Sequence, residues 1–301
     1  VQTTGGVSYY KNAVTMQVTV QDKNFNASDM SATITARDAN SADVTRADGK
    51  KVSDYLTAYL KDGTAWTALG NDTYQATLNL QEEAAYSFSV AYADMAGNAA
   101  VYGAGSTGTY GTDRLVVDRT APVRVEPARY ADAYGTSNLV QIVNADRATI
   151  ASDSAGATSE FIYSGEALLS VTIREANFQS ANVSVKVSRN GTVVNPGDGY
   201  SYNAAADWKT GTDKNLHSLE LRLGTGNANS SKDGTYKVEI SYKDPSGNEM
   251  AVYTSSVINI DTAGPQLSVN YSDGGYVTEL DGIRYYGNDF CDGAQFPAGR
   301  D

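Results

Sequence analysis

The chain has 301 residues, a net charge of −12 and only 19% charged residues, so it is long enough for two domains of ordinary size. The acidic balance excludes nucleic acid and anionic membrane surfaces as partners, because no basic patch exists to release phosphate counterions. No apolar run reaches membrane-spanning length, which excludes direct membrane insertion by a helix, and a single cysteine, Cys291, excludes an intramolecular disulfide.

With 21 Tyr against 6 Phe and 28 Gly, the composition is that of twisted, half-exposed β-structure. After Tyr10-Lys11, residues 14–20 alternate with period two and predict a strand. It leads into Asp22-Lys23-Asn24-Phe25, and a second strand follows at 31–35. Residues 54–60 predict a short helix ahead of the Asp62-Gly63 turn and Trp66. Strands at 74–80 and 86–92 come next, the latter entering the turn Asp94-Met95-Ala96-Gly97-Asn98. The unit closes on Val117-Asp118-Arg119-Thr120-Ala121-Pro122, and Val123-Arg124-Val125 predicts the first strand of a new unit.

The new unit repeats the old one. Tyr163 precedes a strand at 169–173, then Glu175-Ala176-Asn177-Phe178 and a strand at 183–187 ending near the Asn190-Gly191 turn. Residues 203–207 carry no better helix signal than their counterpart. Trp208 leads to strands at 219–223 and 236–242, the turn Asp244-Pro245-Ser246-Gly247-Asn248, and the closing Ile260-Asp261-Thr262-Ala263-Gly264-Pro265. Gln266-Leu267-Ser268-Val269 predicts a further first strand. Ile283-Arg284-Tyr285-Tyr286 echoes Val7-Ser8-Tyr9-Tyr10, whereas residues 290–301 fit no strand and are expected to be poorly ordered.

About seven short strands per unit, spaced by turns, predict an all-β fold of tandem immunoglobulin-like β-sandwiches. The expected domains are residues 1–118, which lack a first strand, residues 119–262, and residues 263–301 as the truncated start of a third repeat. Tandem copies of one module point to a strut or a multivalent surface rather than to one active site.

The pattern Tyr-x-Val-x-Tyr-x-Asp-x-x-Gly-Asn followed by Val-Asp-x-Thr-Ala-Pro, after an upstream Thr-Val-x-Asp-x-Asn-Phe, resembles the bacterial Ig-like repeats of large Gram-positive cell-surface proteins and adhesins. The second copy departs at Gly264 and at Glu175 in place of Asp22. The resemblance implies a non-catalytic stalk or adhesive segment, extracellular and anchored to the cell wall through regions outside this chain. Its neighbours would be further Ig-like repeats. Two alternatives stand beside it: a module binding a host protein, such as an immunoglobulin, or a mucin glycan; and an accessory region of a secreted glycoside hydrolase. Starting at Val1 without an initiator Met or leader, the chain reads as a piece of a larger protein.

In an Ig-like order, Asp118 from the linker should meet Glu175 and Asp244 from two loops of the second copy, with Asn177 and Asn248 able to add carbonyl oxygens. Hard oxygen donors of this kind suit Ca²⁺, and the resemblance implies calcium-stiffened joints between repeats. The competing reading is that these residues only cap turns. No enzyme is expected. The sole histidine, His217, starts a predicted strand with no counterpart in the first copy. Glu82-Glu83 are adjacent and do not face each other as glycosidase acids must. Lys11 is the one candidate for an isopeptide cross-link. Trp66 and Trp208 recur and are expected to pack between sheets, whereas Tyr55, Tyr59, Tyr200 and Tyr202, in the variable region, are the candidate ligand surface.

Overall fold

The structure is a computed structural model and describes residues 2–102, 106–107, 110–125, 129–132, 141–142, 160–163, 165–268, 276–280 and 283–286. It divides into two compact units, Val1–Thr262 and Ala263–Asp301. The first unit opens with strands β1 (Gln2–Thr4), β2 (Val7–Tyr10), β3 (Val14–Gln21) and β4 (Met30–Arg37), then helix α1 (Val52–Lys61). Next come β5 (Trp66–Gly70), β6 (Thr73–Leu80), β7 (Ala84–Tyr92), the short β8 (Val101–Tyr102) and β9 (Ser106–Thr107), and β10 (Tyr110–Val117). One sheet runs β1-β2-β10-β7-β4 and the other β3-β6-β5. Alternation along β7 explains the core between them. Tyr86, Phe88, Val90 and Tyr92 are buried in turn, because successive side chains leave a pleated strand on opposite faces.

The predicted helix is present and slightly longer than its signal. Val52, Leu56 and Leu60 line one face, four residues apart, and the helix packs on β4. Asp54 in its first turn and Lys61 in its last complement the helix dipole.

The second sandwich uses β11 (Val123–Arg124), β12 (Arg129–Asp132), β13 (Gln141–Ile142), β14 (Glu160–Tyr163), β15 (Ala167–Arg174), β16 (Val183–Arg189), β17 (Thr192–Val194) and β18 (Gly199–Ser201). A one-turn helix, α2 (Ala204–Asp207), precedes β19 (Trp208–Thr210), β20 (Leu216–Thr225), β21 (Gly234–Tyr242), β22 (Tyr253–Thr254) and β23 (Val257–Ile260). One sheet runs β13-β14-β23-β21-β16-β17, and the other β11-β15-β20-β18 with β12 also on β15. In both sandwiches a strand lies parallel to the last strand: β2 on β10, and β14 on β23. Both also carry a tyrosine corner. Tyr86 donates its hydroxyl to the Glu82 carbonyl at 2.8 Å, and Tyr236 to the Lys232 carbonyl at 2.6 Å. The Asn190-Gly191 turn has φ of 51° and 78°, the two positive values that a two-residue hairpin between β16 and β17 demands. The chain is thus an all-β sandwich fold.

Two expectations are corrected. Helix α2 forms where the sequence carries only a weak helix signal, because Asn203 caps it by accepting from the Ala205 amide at 3.0 Å. Residues 266–268 form no strand, and Leu267 is 90% exposed. In the second unit β24 (Tyr276–Leu280) pairs antiparallel with β25 (Ile283–Tyr286), the strand foreseen at 283–286. Residues 290–301, with Cys291, lie outside the described residues. Among those described, no helix is long and apolar enough to cross a membrane.

Candidate metal centre at the joint between the sandwiches

Three segments converge where one sandwich hands over to the next. The first is the linker. Asp118 follows β10 and donates its amide to the Tyr10 carbonyl at 2.9 Å. Glu83 then holds the linker by accepting from the Arg119 amide at 2.9 Å and the Thr120 hydroxyl at 2.8 Å. The second is the loop after β15, where the Glu175 amide donates to the Asn215 carbonyl at 2.7 Å. The third is the turn after β21. There Asp244 accepts from the Asn248 amide at 2.8 Å, and Gly247 takes a φ of 92° to close the turn.

The carboxylates of Asp118, Glu175 and Asp244 lie within 4.8 Å of one another. They are 4%, 4% and 1% exposed. Asn177 and Asn248 stand beside them, with their amide nitrogens turned inward. Asn177 Nδ2 donates to Asp118 Oδ2 at 2.8 Å; Asn248 Nδ2 donates to Asp244 Oδ2 at 2.8 Å and to the Asp118 carbonyl at 3.0 Å. In this geometry the two asparagines orient the acids instead of offering them further carbonyl oxygens.

Among the described residues no Lys or Arg pairs with any of the three acids. Burial, helped by the charges of Asp118 and Asp244, pushes the Glu175 carboxyl up to about 8. Asp118 is raised as well, first by burial and then by the Asp244 charge, against the bond from Asn177. The Tyr242 phenol is raised by burial and by all three acids, and its oxygen accepts from the Gln179 amide at 3.0 Å. Buried carboxylates without a cation must share protons or take up a metal ion. An oxygen-only set of this charge fits a hard cation such as Ca²⁺ better than zinc, which favours nitrogen and sulfur.

His217 lies against this site without entering it. It is 6% exposed, and Nε2 donates to the Glu175 carbonyl at 3.0 Å while Nδ1 accepts from the Thr210 hydroxyl at 3.1 Å. Both ring nitrogens are therefore engaged. Its ring stacks on Phe178 at 4.1 Å between centroids, and burial lowers its pKa. The histidine thus braces the backbone that carries Glu175. Sequence reasoning missed this role, since nothing in the Leu216-His217-Ser218 alternation says what the strand faces.

The remaining candidates are dispersed. Trp66 Nε1 donates to the Leu60 carbonyl at 3.0 Å, and its ring packs on Phe25. Trp208 packs on Phe178 and donates to the Tyr202 hydroxyl at 3.1 Å. Tyr200 is only 3% exposed, which takes it off any ligand surface: β18 turns its ring into the core. Tyr202 is half-buried against the same core. Tyr55 and Tyr59 lie on α1, with the Arg46 guanidinium 3.7 Å above the Tyr55 ring. Lys11 is exposed, and Nζ approaches the Gly247 carbonyl at 3.5 Å, so it is not placed for a buried isopeptide.

No protein-family model matches the chain, and no curated protein matches it. Among solved structures, the crystal structure of Rst D1-D2 aligns over 85% of this chain and 94% of its own, with 9% identity and a TM-score of 0.36. A likeness that slight carries no argument, and the fold assignment rests on the strands and their pairing.

Proposed function

We propose that this chain is a non-catalytic strut, a segment of a bacterial cell-surface protein built from immunoglobulin-like repeats, whose joint closes on Ca²⁺. One observation carries the reading: three buried carboxylates, one from the linker and two from the second sandwich, share a joint, and among the described residues none of them pairs with a Lys or Arg. Asp118 is tied to the first sandwich through Tyr10, while Glu175 and Asp244 belong to the second. A divalent cation held by all three would offset two of their three charges and bind the two bodies through one point. A strut needs stiff joints more than pockets, and the repeat organisation supports that task. The extracellular, wall-anchored setting follows from the sequence resemblance, and extracellular Ca²⁺ is plentiful enough to fill a weak site.

Calorimetric titration of Ca²⁺ into chelator-treated protein tests this, with small-angle scattering before and after. Saturable binding, a narrower scattering ensemble in Ca²⁺, and loss of both in Asp244→Asn are expected. Superposable scattering curves and no binding heat would sink the reading.

A second reading has its own observation. A cavity of about 340 Å³ beside Tyr55 and Tyr59, with Arg46 and Glu82, exists on the first sandwich, where α1 is longer than its counterpart α2. Aromatic rings beside paired charges suit a host protein or a glycan. Binding of the chain to immobilised mucin glycans, lost in Tyr55→Ala, would favour it.

A further inference from the structure

The first sandwich repeats the constellation of the joint at its own opposite end. Asp22 occupies the place of Glu175, and Asp94 and Asn98 those of Asp244 and Asn248. The local bonds recur. Asp94 accepts from the Asn98 amide and from Asn98 Nδ2, both at 2.8 Å, as Asp244 does from Asn248. Asp22 accepts from the Asn24 amide at 3.3 Å, as Glu175 does from Asn177 at 2.7 Å.

The two ends differ in their cover. In the second sandwich the linker lays Asp118 on the acids, buries Pro122 and continues as a strand on β15. Val123 pairs with Arg174, Arg124 with Ile173, and the Val125 amide donates to the Thr172 carbonyl at 3.2 Å. Among the described residues β3, the counterpart of β15, pairs with β6 alone. Burial records the difference. Ala167, Leu169, Val171 and Ile173 are 0–1% exposed, but their counterparts Val14, Met16 and Val18 are only half-buried and Val20 is 9% exposed. A groove of about 490 Å³ runs from Val18 and Val20 to Asp22, Asp94 and Asn98.

We propose that this groove is the docking site for an extended segment with the chemistry of residues 118–125, the kind that leaves the last strand of another sandwich of this type. Its aspartate seats at Asp22 and Asp94, and Asn98 donates to its carbonyl as Asn248 does to that of Asp118. Its Val-x-Val stretch pairs antiparallel with β3, adding a strand to the edge that has no partner among the described residues. This chain bears such segments at Asp118-Arg119-Thr120-Ala121-Pro122-Val123 and Asp261-Thr262-Ala263-Gly264-Pro265-Gln266-Leu267. The strand pairing and the Asn98 bond need no metal, so the inference is separable from the calcium reading.

The test grafts residues 117–125 onto the N-terminus of the full chain through a Gly/Ser linker of about 20 residues, which spans about 25 Å, roughly the length of β3. Amide hydrogen exchange is then followed in EDTA. The Asp22 amide donates to Asp72 on the β6 side, so by alternation the Thr19 and Gln21 amides point to the open edge. The expected result is at least about tenfold slower exchange at Thr19 and Gln21, with the second sandwich unchanged. A graft carrying Val123→Pro and Val125→Pro can no longer donate to the Thr19 and Gln21 carbonyls, so it should not dock and should give no protection. Unchanged exchange with the native graft, or equal protection by the proline graft, overturns the proposal. Protection that appears in the ungrafted chain on concentration, and survives deletion of residues 263–301, assigns the edge to a second β3 and also overturns it.

Discussion

Glu175→Gln separates the electrostatics of the joint from its shape. Glutamine keeps the oxygen that accepts from the Asn177 amide at 2.7 Å and removes the charge. In metal-free protein the folded-state pKa of Glu175 is raised from its ordinary 4.5 to about 8, so the folded state holds a proton that the unfolded state has lost. Stability from this group is therefore fully present below pH 4.5 and disappears as pH rises through about 8. At about 1.36 kcal/mol per pH unit, that span sets a ceiling of about 5 kcal/mol. The variant has no such loss. In EDTA the two proteins should melt together near about pH 4, and the variant should melt on the order of 10 °C higher near about pH 8, at about 2–4 °C per kcal/mol. Differential scanning calorimetry reads this directly. Millimolar Ca²⁺ should narrow the gap by about half, stabilising wild type by about 2.7 kcal/mol at a hundredfold excess over Kd and leaving the variant unmoved. The reasoning is refuted if the variant melts at or below wild type in EDTA at the higher pH.

Other outcomes follow from the same geometry. Asn248→Ala strips donors from the Asp118 carbonyl and Asp244 Oδ2, both buried, and should lower stability by about 2–3 kcal/mol in urea unfolding. Tyr236→Phe deletes the corner bond to Lys232 from a fully buried ring and should cost about 1–2 kcal/mol, with the urea m-value unchanged. Burial holds the pKa of His217 below its ordinary 6.5, so its contribution is present above pH 6.5 and is lost as pH falls through the lowered value. Replacing it by His217→Gln should therefore flatten the stability profile on the acid side of 6.5, measured by thermal unfolding against pH.

Local pattern and repetition made much of this molecule legible in its sequence. Period-two alternation located β3, β4, β6, β7, β15, β16, β20 and β21, because a pleated strand with one buried face has to alternate. The internal repeat placed Asp118, Glu175 and Asp244 at one joint, since equivalent loops of equivalent sandwiches meet the same end of the chain. Tertiary structure alone decided the rest. The Asn177 and Asn248 side chains turn nitrogen to the acids because carboxylates crowded in a buried space demand donors. Tyr200 lies in the core and Tyr55 on the surface, although both fall in the variable region and read alike as candidates for a ligand surface, because the fold sets which way β18 and α1 face. His217 braces Glu175 through a bond between residues 42 positions apart. No local pattern encodes a contact of that separation, or that among the described residues β3 pairs with β6 alone. Both depend on which segment arrives from elsewhere to fill a place that the strand only leaves open.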